Sequence, residues 1–280
     1  MKLEQSIDNR VDTNDTTDGD TAHVHFDSVW LDKIKEEIGV DLIGALAVTS
    51  GSHPDFLFGV ETFLPRSNAA IVLGMEMASE TVNLIKHPMN YSGKPKTGGL
   101  LSPHVVQLTE EIDQANIDLA RILKQLGYRS IALPSRGLPM RPLMLKAALS
   151  YCHIAEAAGM GTVGTHSFLI TPEFGTRVRL GCLLTEAPIE TTTRHDPVDD
   201  CTHCLDCVKI CPVEAISAPI PGKRYEVDGA RCKFYRDRID NCGLCLKACS
   251  YATGHSEVGG PLAAAGSLDR AEAVKPRWDR

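Results

Sequence analysis

The chain has 280 residues, 43% hydrophobic and 23% charged, with a formal net charge of -7. That length allows one large core, or a medium core plus a small module, and the acidic balance makes nucleic acid an unlikely partner because nonspecific binding feeds on basic surface. No apolar run is long enough to span a bilayer. The N-terminus lacks an apolar signal region and no Arg-Arg pair occurs, so the expected location is the cytoplasm.

Residues 1–22, rich in Asp, Thr and Asn, are expected to form a disordered acidic tail. "DSVWLDKIKEEIG" predicts a helix. Asp27 can cap it, Trp30, Leu31 and Ile34 share a face, and Gly39 can end it. "VDLIGALAV" and "AAIVLGMEM" are short apolar runs between turn residues, the pattern of buried strands. The longest helix is predicted over "SPHVVQLTEEIDQANIDLARILKQLGY", where Leu108, Ile112, Ala115, Leu119, Ile122 and Leu126 recur at three- and four-residue steps. "SIALPS" reads as a strand, and "RPLMLKAALSYCHIAEAAG" as a buried helix, apolar nearly all round. "SFLITPEFGTRVRLGCLLTEAP" splits at Pro172 and Gly175 into two strands, expected to form a hairpin. Helices and strands alternate through residue 188, giving an α+β or α/β sandwich over about 23–195. A sulfur-rich module follows over 196–252, and 253–280 is expected to be a mobile tail.

Ten cysteines occur, and eight lie between Cys201 and Cys249. In a reducing compartment that density points to metal and not to disulfides. "CTHCLDCVKICP" could be read as a zinc site or a thioredoxin-like pair. Zinc needs four ligands in all, and a redox motif needs one pair. The run instead matches C-x2-C-x2-C-x3-C-P, the bacterial [4Fe–4S] ferredoxin pattern whose fourth cysteine ligates the other cluster. Three cysteines on a tight loop cover three corners of a cubane. The fourth, before Pro212, is expected to start a helix leading away to the second centre. Crossed in this way, Cys201, Cys204, Cys207 and Cys249 hold one cluster, and Cys211, Cys232, Cys242 and Cys245 hold the other. Nine residues separate Cys232 from Cys242, so a loop must return Cys232 to its partners. The basic stretch "RCKFYRDR" beside it either tunes a cluster or is a solvated loop. Cys152 and Cys182 sit in apolar contexts and are read as core residues.

"GMGTVG", Gly159 to Gly164, spells G-x-G-x-x-G, but a helix precedes it and a strand follows. Dinucleotide binding needs the reverse order, so that reading is rejected. The glycines indicate a helix stop and a close backbone approach.

From "AEAAGMGTVGTHSFLITPEFGTRVRLGCLLTEAPI", through "CTHCLDCVKICPVEAI", to "RCKFY…NCGLCLKAC", the chain resembles epoxyqueuosine reductases and reductive dehalogenases. The resemblance implies a nitroreductase-like α/β domain followed by a two-cluster ferredoxin-type module, with cobalamin held base-off between them. It implies that Gly159, Gly161 and Gly164 line the cofactor cavity, with His166, Thr171 and Arg177 nearby. Epoxyqueuosine reductases place an acidic proton donor before the Ala-Gly turn, and "LMLKAALSYCHIA" has none. Tyr151 or His153 could donate instead, as a tyrosine does in dehalogenases. The ordinary alternatives are core packing for Tyr151 and a backbone partner for His153. Arg177 and Arg179 alternate along a strand and can face one side, or can both be solvated. The sequence shows no helical repeats of the kind those reductases use on tRNA.

The expectation is an iron–sulfur oxidoreductase that passes single electrons through two clusters to a cofactor or substrate pocket. Its expected partners are a donor such as ferredoxin or flavodoxin and a small-molecule substrate. The competing expectation is a non-enzymatic electron carrier whose α/β domain docks a partner. A flavin could replace cobalamin, as in other nitroreductase-like folds.

Overall fold

The computed structural model describes residues 26–49, 52–85, 100–139, 147–192, 201–220, 225–238 and 242–255. Both expected tails lie outside these residues except for 253–255. Helix α1 (Ser28–Ile38) forms where its signals stand: Asp27 accepts the Trp30 N–H at 2.9 Å, and Gly39 closes the end at φ +70°. Leu31 and Ile34 are buried beneath it. Strand β1 (Leu42–Ala47) follows, then α2 (Pro54–Phe63), whose proline suits a first turn. Next come β2 (Ala69–Glu76), the short α3 (Ser79–Asn83), the long α4 (Leu101–Gln125) and β3 (Ser130–Leu133). Helix α5 (Tyr151–Ala157) leads into a ribbon of β4 (Thr162–Val163) and β5 (Leu169–Ile170), and then β6 (Val178–Thr185).

The main sheet has the order β1-β2-β6-β3, and each adjacent pair is antiparallel. Strand β2 is central, and its unbroken apolar run fits burial on both faces. Ala69, Ile71, Leu73 and Met75 face a core shared with α1 and α4. Ala70 and Val72 face a second core shared with α2 and α5. The period of two thus splits one strand between two helical layers. Burying a side chain such as Ile71 or Leu73 contributes about 1.5–3 kcal/mol.

The sulfur-rich part comprises α6 (Cys201–Cys204), α7 (Asp206–Ile210), β7 (Ile216–Ser217), β8 (Glu226–Val227), α8 (Gly229–Arg236) and α9 (Leu244–Ala252). Ile210, Leu244, Leu246 and Ala248 join the same core as Met75, Val82 and Leu101. The buried Lys247 Nζ donates to Asn83 O at 2.7 Å and Ile85 O at 2.9 Å. This part therefore packs into the α/β layers and is not merely tethered to them.

Several elements differ from expectation. The helix expected from residue 141 begins at Tyr151, because the Ser150 hydroxyl caps it, accepting the His153 N–H at 3.4 Å; residues 141–146 lie outside the described set. It is buried on one side only, with His153 and Ala157 exposed. The expected hairpin over 167–188 does not form. Strand β5 pairs with β4, while β6 pairs with β2 and β3, and only a Thr171–Gly175 bridge closes the turn at Pro172. Cys211 ends α7 and starts no helix, since Pro212 opens a turn into β7. The basic stretch around Cys232 is a helix, α8, capped by Asp228, whose side chain accepts the Arg231 N–H at 2.9 Å. Thr253 and His255 pack back on the turn, where the His255 Nε2 lies 2.8 Å from Pro172 O.

Candidate redox site

The cysteines assort into two groups by their mutual electrostatics. Burial raises the Cys249 thiol pKa, and the neighbouring charges that add to this are Cys201, Cys207 and Cys204. Burial, then Cys201 and Cys204, pushes Cys207 up to about 12. Cys245 is raised by burial, then by Cys242, Cys232 and Cys211, with Cys207 of the other group last. Cys242 is pushed to about 11 by burial, with Cys211 and Cys232 adding to it. Helix α9 carries Cys245 to one group and Cys249 to the other, because residues four apart lie one turn along the helix. Crowded and buried, such sulfurs stay neutral until a cationic centre stabilises their thiolates. Among the described residues, no three His, Cys, Asp or Glu side chains close up tightly enough for a single metal ion.

Hydrogen bonds reach both groups. Thr165 N–H donates to Cys201 Sγ at 3.2 Å, and its hydroxyl lies 3.3 Å from the same sulfur. Ala215 N–H donates to Cys211 Sγ at 3.2 Å.

A cavity of about 680 Å³ lies against the second group. It is lined by Cys211, Cys232, Cys242 and Cys245 from the sulfur-rich part, and by Tyr151, Ser135, His166 and Arg179 from the α/β layers. Its size lies within the roughly 300–1,000 Å³ of sites that enclose cofactors and small ligands. The Tyr151 hydroxyl donates to Pro134 O at 2.9 Å, and burial, the largest cause, drives its pKa up, so it holds its proton. His166 is 3% exposed, and burial pushes its pKa down to about 4. Its Nδ1 accepts the Phe168 N–H at 3.1 Å. The neutral ring therefore carries its proton on Nε2, which is buried without a partner among the described residues. The Ser135 Oγ and both amide atoms of Asn116 are likewise buried and unpartnered there.

The other residues anticipated from the sequence shape the surroundings and are not among the residues lining the cavity. Gly159, at φ +69°, ends α5. A Cβ on Gly161 would stand 2.2 Å from Ile170 O, and one on Gly164 would stand 2.8 Å from the His166 ring. Those two glycines let the β4–β5 ribbon close and seat His166. Thr171 is fully buried in the tight turn, where its Oγ1 accepts the Phe174 N–H at 3.1 Å. Arg177 pairs with Glu76 and donates to Met77 O at 2.7 Å and His255 O at 3.1 Å. Arg179, two residues on, is the one that reaches the cavity. His153 is exposed, stacks on Tyr225 at 5.9 Å between ring centroids, and shares a 2.6 Å hydrogen bond with its hydroxyl. Cys182 is fully buried as expected, whereas Cys152 is half-buried and lines the cavity. Sequence reasoning missed Ser135 and Asn116. Asn116 and Thr109 are the polar residues among those that α4 buries, which was the available signal.

Residues 198–217 match a family described as "4Fe-4S binding domain". The chain is similar to epoxyqueuosine reductases: 31% identical over 170 residues to that of Shewanella oneidensis, covering 57% of this chain and 41% of the relative. It is 36% identical over 114 residues to that of Escherichia coli, covering 40% and 28%. The chain thus spans well under half the length of these curated relatives. In fold it is similar to a reductive dehalogenase solved in connection with B12-dependent dehalogenation, with TM-score 0.57, 20% identity, and coverage of 86% of this chain and 34% of that one. It is also similar to an epoxyqueuosine reductase crystal structure, with TM-score 0.53, 17% identity, and coverage of 84% and 70%. A further neighbour, with TM-score 0.51, is 17% identical over 84% of this chain and 69% of its own length. It is an epoxyqueuosine reductase with a tRNA-Tyr stem loop, so the expectation that nucleic acid is an unlikely partner gains no support from these neighbours. The chain therefore has a mixed helix-and-sheet fold with a ferredoxin-type 4Fe–4S segment, and resembles epoxyqueuosine reductases and reductive dehalogenases. Among the described residues, no helix is long and apolar enough to cross a membrane.

Proposed function

We propose that the chain is an iron–sulfur oxidoreductase, similar to epoxyqueuosine reductase, that delivers single electrons to a cofactor or substrate in the 680 Å³ cavity. Cys201, Cys204, Cys207 and Cys249 would hold one [4Fe–4S] cluster, and Cys211, Cys232, Cys242 and Cys245 the other. When bound, such centres supply one-electron transfer at potentials set by burial, charge and hydrogen bonds to sulfur. The observation that carries the reading is that all four cysteines of the second group line the cavity. The first group, none of whose cysteines lines the cavity, is the entry point for a ferredoxin- or flavodoxin-type donor.

The α/β part of the fold is read as nitroreductase-like. The cavity's polar atoms fit a bound cofactor, cobalamin being the one the family resemblance implies. The unpartnered His166 Nε2–H would hydrogen-bond one of its polar side groups. Bound there, cobalamin would supply a metal centre able to accept electrons one at a time. Tyr151 retains its proton inside the cavity and is the proton donor of the reduction, while His153 steadies α5 against Tyr225. A plain electron carrier is not favoured, since it has no use for a cavity of this size with a buried, unanswered donor.

The test is anaerobic purification with an iron and sulfide count, then titration with cob(II)alamin followed by electron paramagnetic resonance. About eight irons per chain and a changed cobalt signal are expected. A full iron complement with an unaltered cobalt signal would remove cobalamin from the reading.

A further inference from the structure

We infer that the substrate taken by this cavity is an organic acid whose carboxylate is received by Arg179, with Ser135 and Tyr151 beside it. The inference rests on the reading of the cavity as a reductive site. Its first support is charge. The described lining includes Arg179 and Arg236 and neither Asp nor Glu. Arg236 is exposed on α8 and lies within electrostatic reach of Cys232, so it answers the negative sulfurs. Arg179 comes from the α/β layers and is free of that duty.

Geometry is the second support. Arg179 Nε donates to Thr109 Oγ1 at 3.1 Å, and Nη2 donates to Ser135 O at 2.6 Å. These bonds fix the guanidinium plane, and Nη1 has no partner among the described residues. Asp113 is close enough to favour the Arg179 charge, but its Oδ1 accepts the Ser135 N–H at 2.8 Å and it does not line the cavity. A planar fork with one edge open suits a planar carboxylate.

The third support is an unanswered donor. Beside Arg179, the Ser135 hydroxyl is buried without a partner among the described residues. A buried donor left unanswered is costly, so the occupant must offer an acceptor. Gly181 lets Asn116 and Ser135 pack close against β6, since a Cβ there would stand 2.6 Å from Asn116 Nδ2 and 3.1 Å from Ser135 Oγ. The remaining wall, including Leu149, Val178 and Leu180, is apolar and suits a hydrocarbon body.

The test uses the anaerobically purified, iron-loaded full chain and ligand-detected NMR. The probes are benzoate and phenylacetate, their amides benzamide and phenylacetamide, and inorganic phosphate. The acids are expected to bind at least about tenfold more tightly than the amides. Arg179→Gln is expected to abolish that preference at unchanged iron content, with Arg179→Lys keeping part of it. Five results would each overturn the inference: equal binding of acids and amides, no binding of the acids, a preference that survives Arg179→Gln, its loss in Arg236→Gln instead, or phosphate competing as well as benzoate. The iron count on the same sample scores the reductive reading separately: a low count sinks that reading, while the acid-to-amide ratio still decides the inference.

Discussion

Thr165, in the loop that closes the β4–β5 ribbon, and Cys201, at the start of α6, meet across the boundary between the α/β layers and the sulfur-rich part. The backbone N–H donates to Sγ at 3.2 Å, and the hydroxyl lies 3.3 Å from the same atom. A ligated thiolate carries no proton, so there the hydroxyl must donate. Hydrogen bonds to sulfur favour the reduced, more negative cluster. Thr165→Val removes the side-chain bond alone. It is expected to lower the potential of the cluster held by Cys201 by roughly 20–40 mV, the equivalent of a weak hydrogen bond for one electron. A redox titration followed by electron paramagnetic resonance reads both clusters, and the second should not move.

The crossed grouping of the sulfurs makes a prediction about α9. Cys249→Ser is expected to disturb the same resonance as Cys201→Ser. Cys245→Ser, one turn away, should disturb the resonance altered by Cys232→Ser. If Cys245→Ser and Cys249→Ser disturbed one common signal, the two groups would be wrongly drawn.

Arg177 joins the end of β2, the start of β6 and the residues after α9 through Glu76, Met77 O and His255 O. Its side chain is 7% exposed, whereas that of Glu76 is 38% exposed and can hydrate alone. Arg177→Met is therefore expected to cost about 1–3 kcal/mol, mostly from carbonyls left without a donor. A thermal melt should show this as a Tm lower by roughly 3–8 °C, with acid binding in the cavity retained.

His166 makes stability depend on pH. Burial holds its pKa at about 4, below the ~6.5 of an unfolded histidine. Between those values the unfolded chain binds the extra proton, so the His166 contribution is fully present above about pH 6.5 and is lost as pH falls toward 4. Compared with His166→Gln at matched pH, the wild type should lose Tm more steeply across that window. Parallel curves would show that the ring is not held neutral by burial.

What the sequence revealed, and what it hid, follows from the range of the forces involved. Asp27 and Gly39 act on the turn they belong to, so α1 was legible at both ends. The apolar period of α4 and the unbroken run of β2 record which faces meet helices or sheet neighbours. The first cysteine spacing marked the 4Fe–4S segment over 198–217, because a run so short limits how its sulfurs can meet. The partner of β5 was not legible, since β4 and β6 offer equally apolar neighbours and only the tight Thr171–Gly175 turn decides between them. Nor could Arg177 be told from Arg179. Alternation places both on one side of the strand, and only the Glu76 carboxylate and the opening beside Ser135 separate a structural arginine from one that enters the cavity. The cavity is assembled from the loop after β3, α5, the loop holding His166, β6, α8 and α9, and no local pattern encodes such a meeting.

The central claim is that two sulfur-bound iron centres stand side by side in this fold. Mössbauer spectroscopy on anaerobically purified, iron-57-labelled protein, with a metal count on the same sample, tests it most directly. The expected result is two distinguishable cubane signals and about eight irons per chain. A single cubane signal with about four irons, or zinc in place of iron, would contradict it.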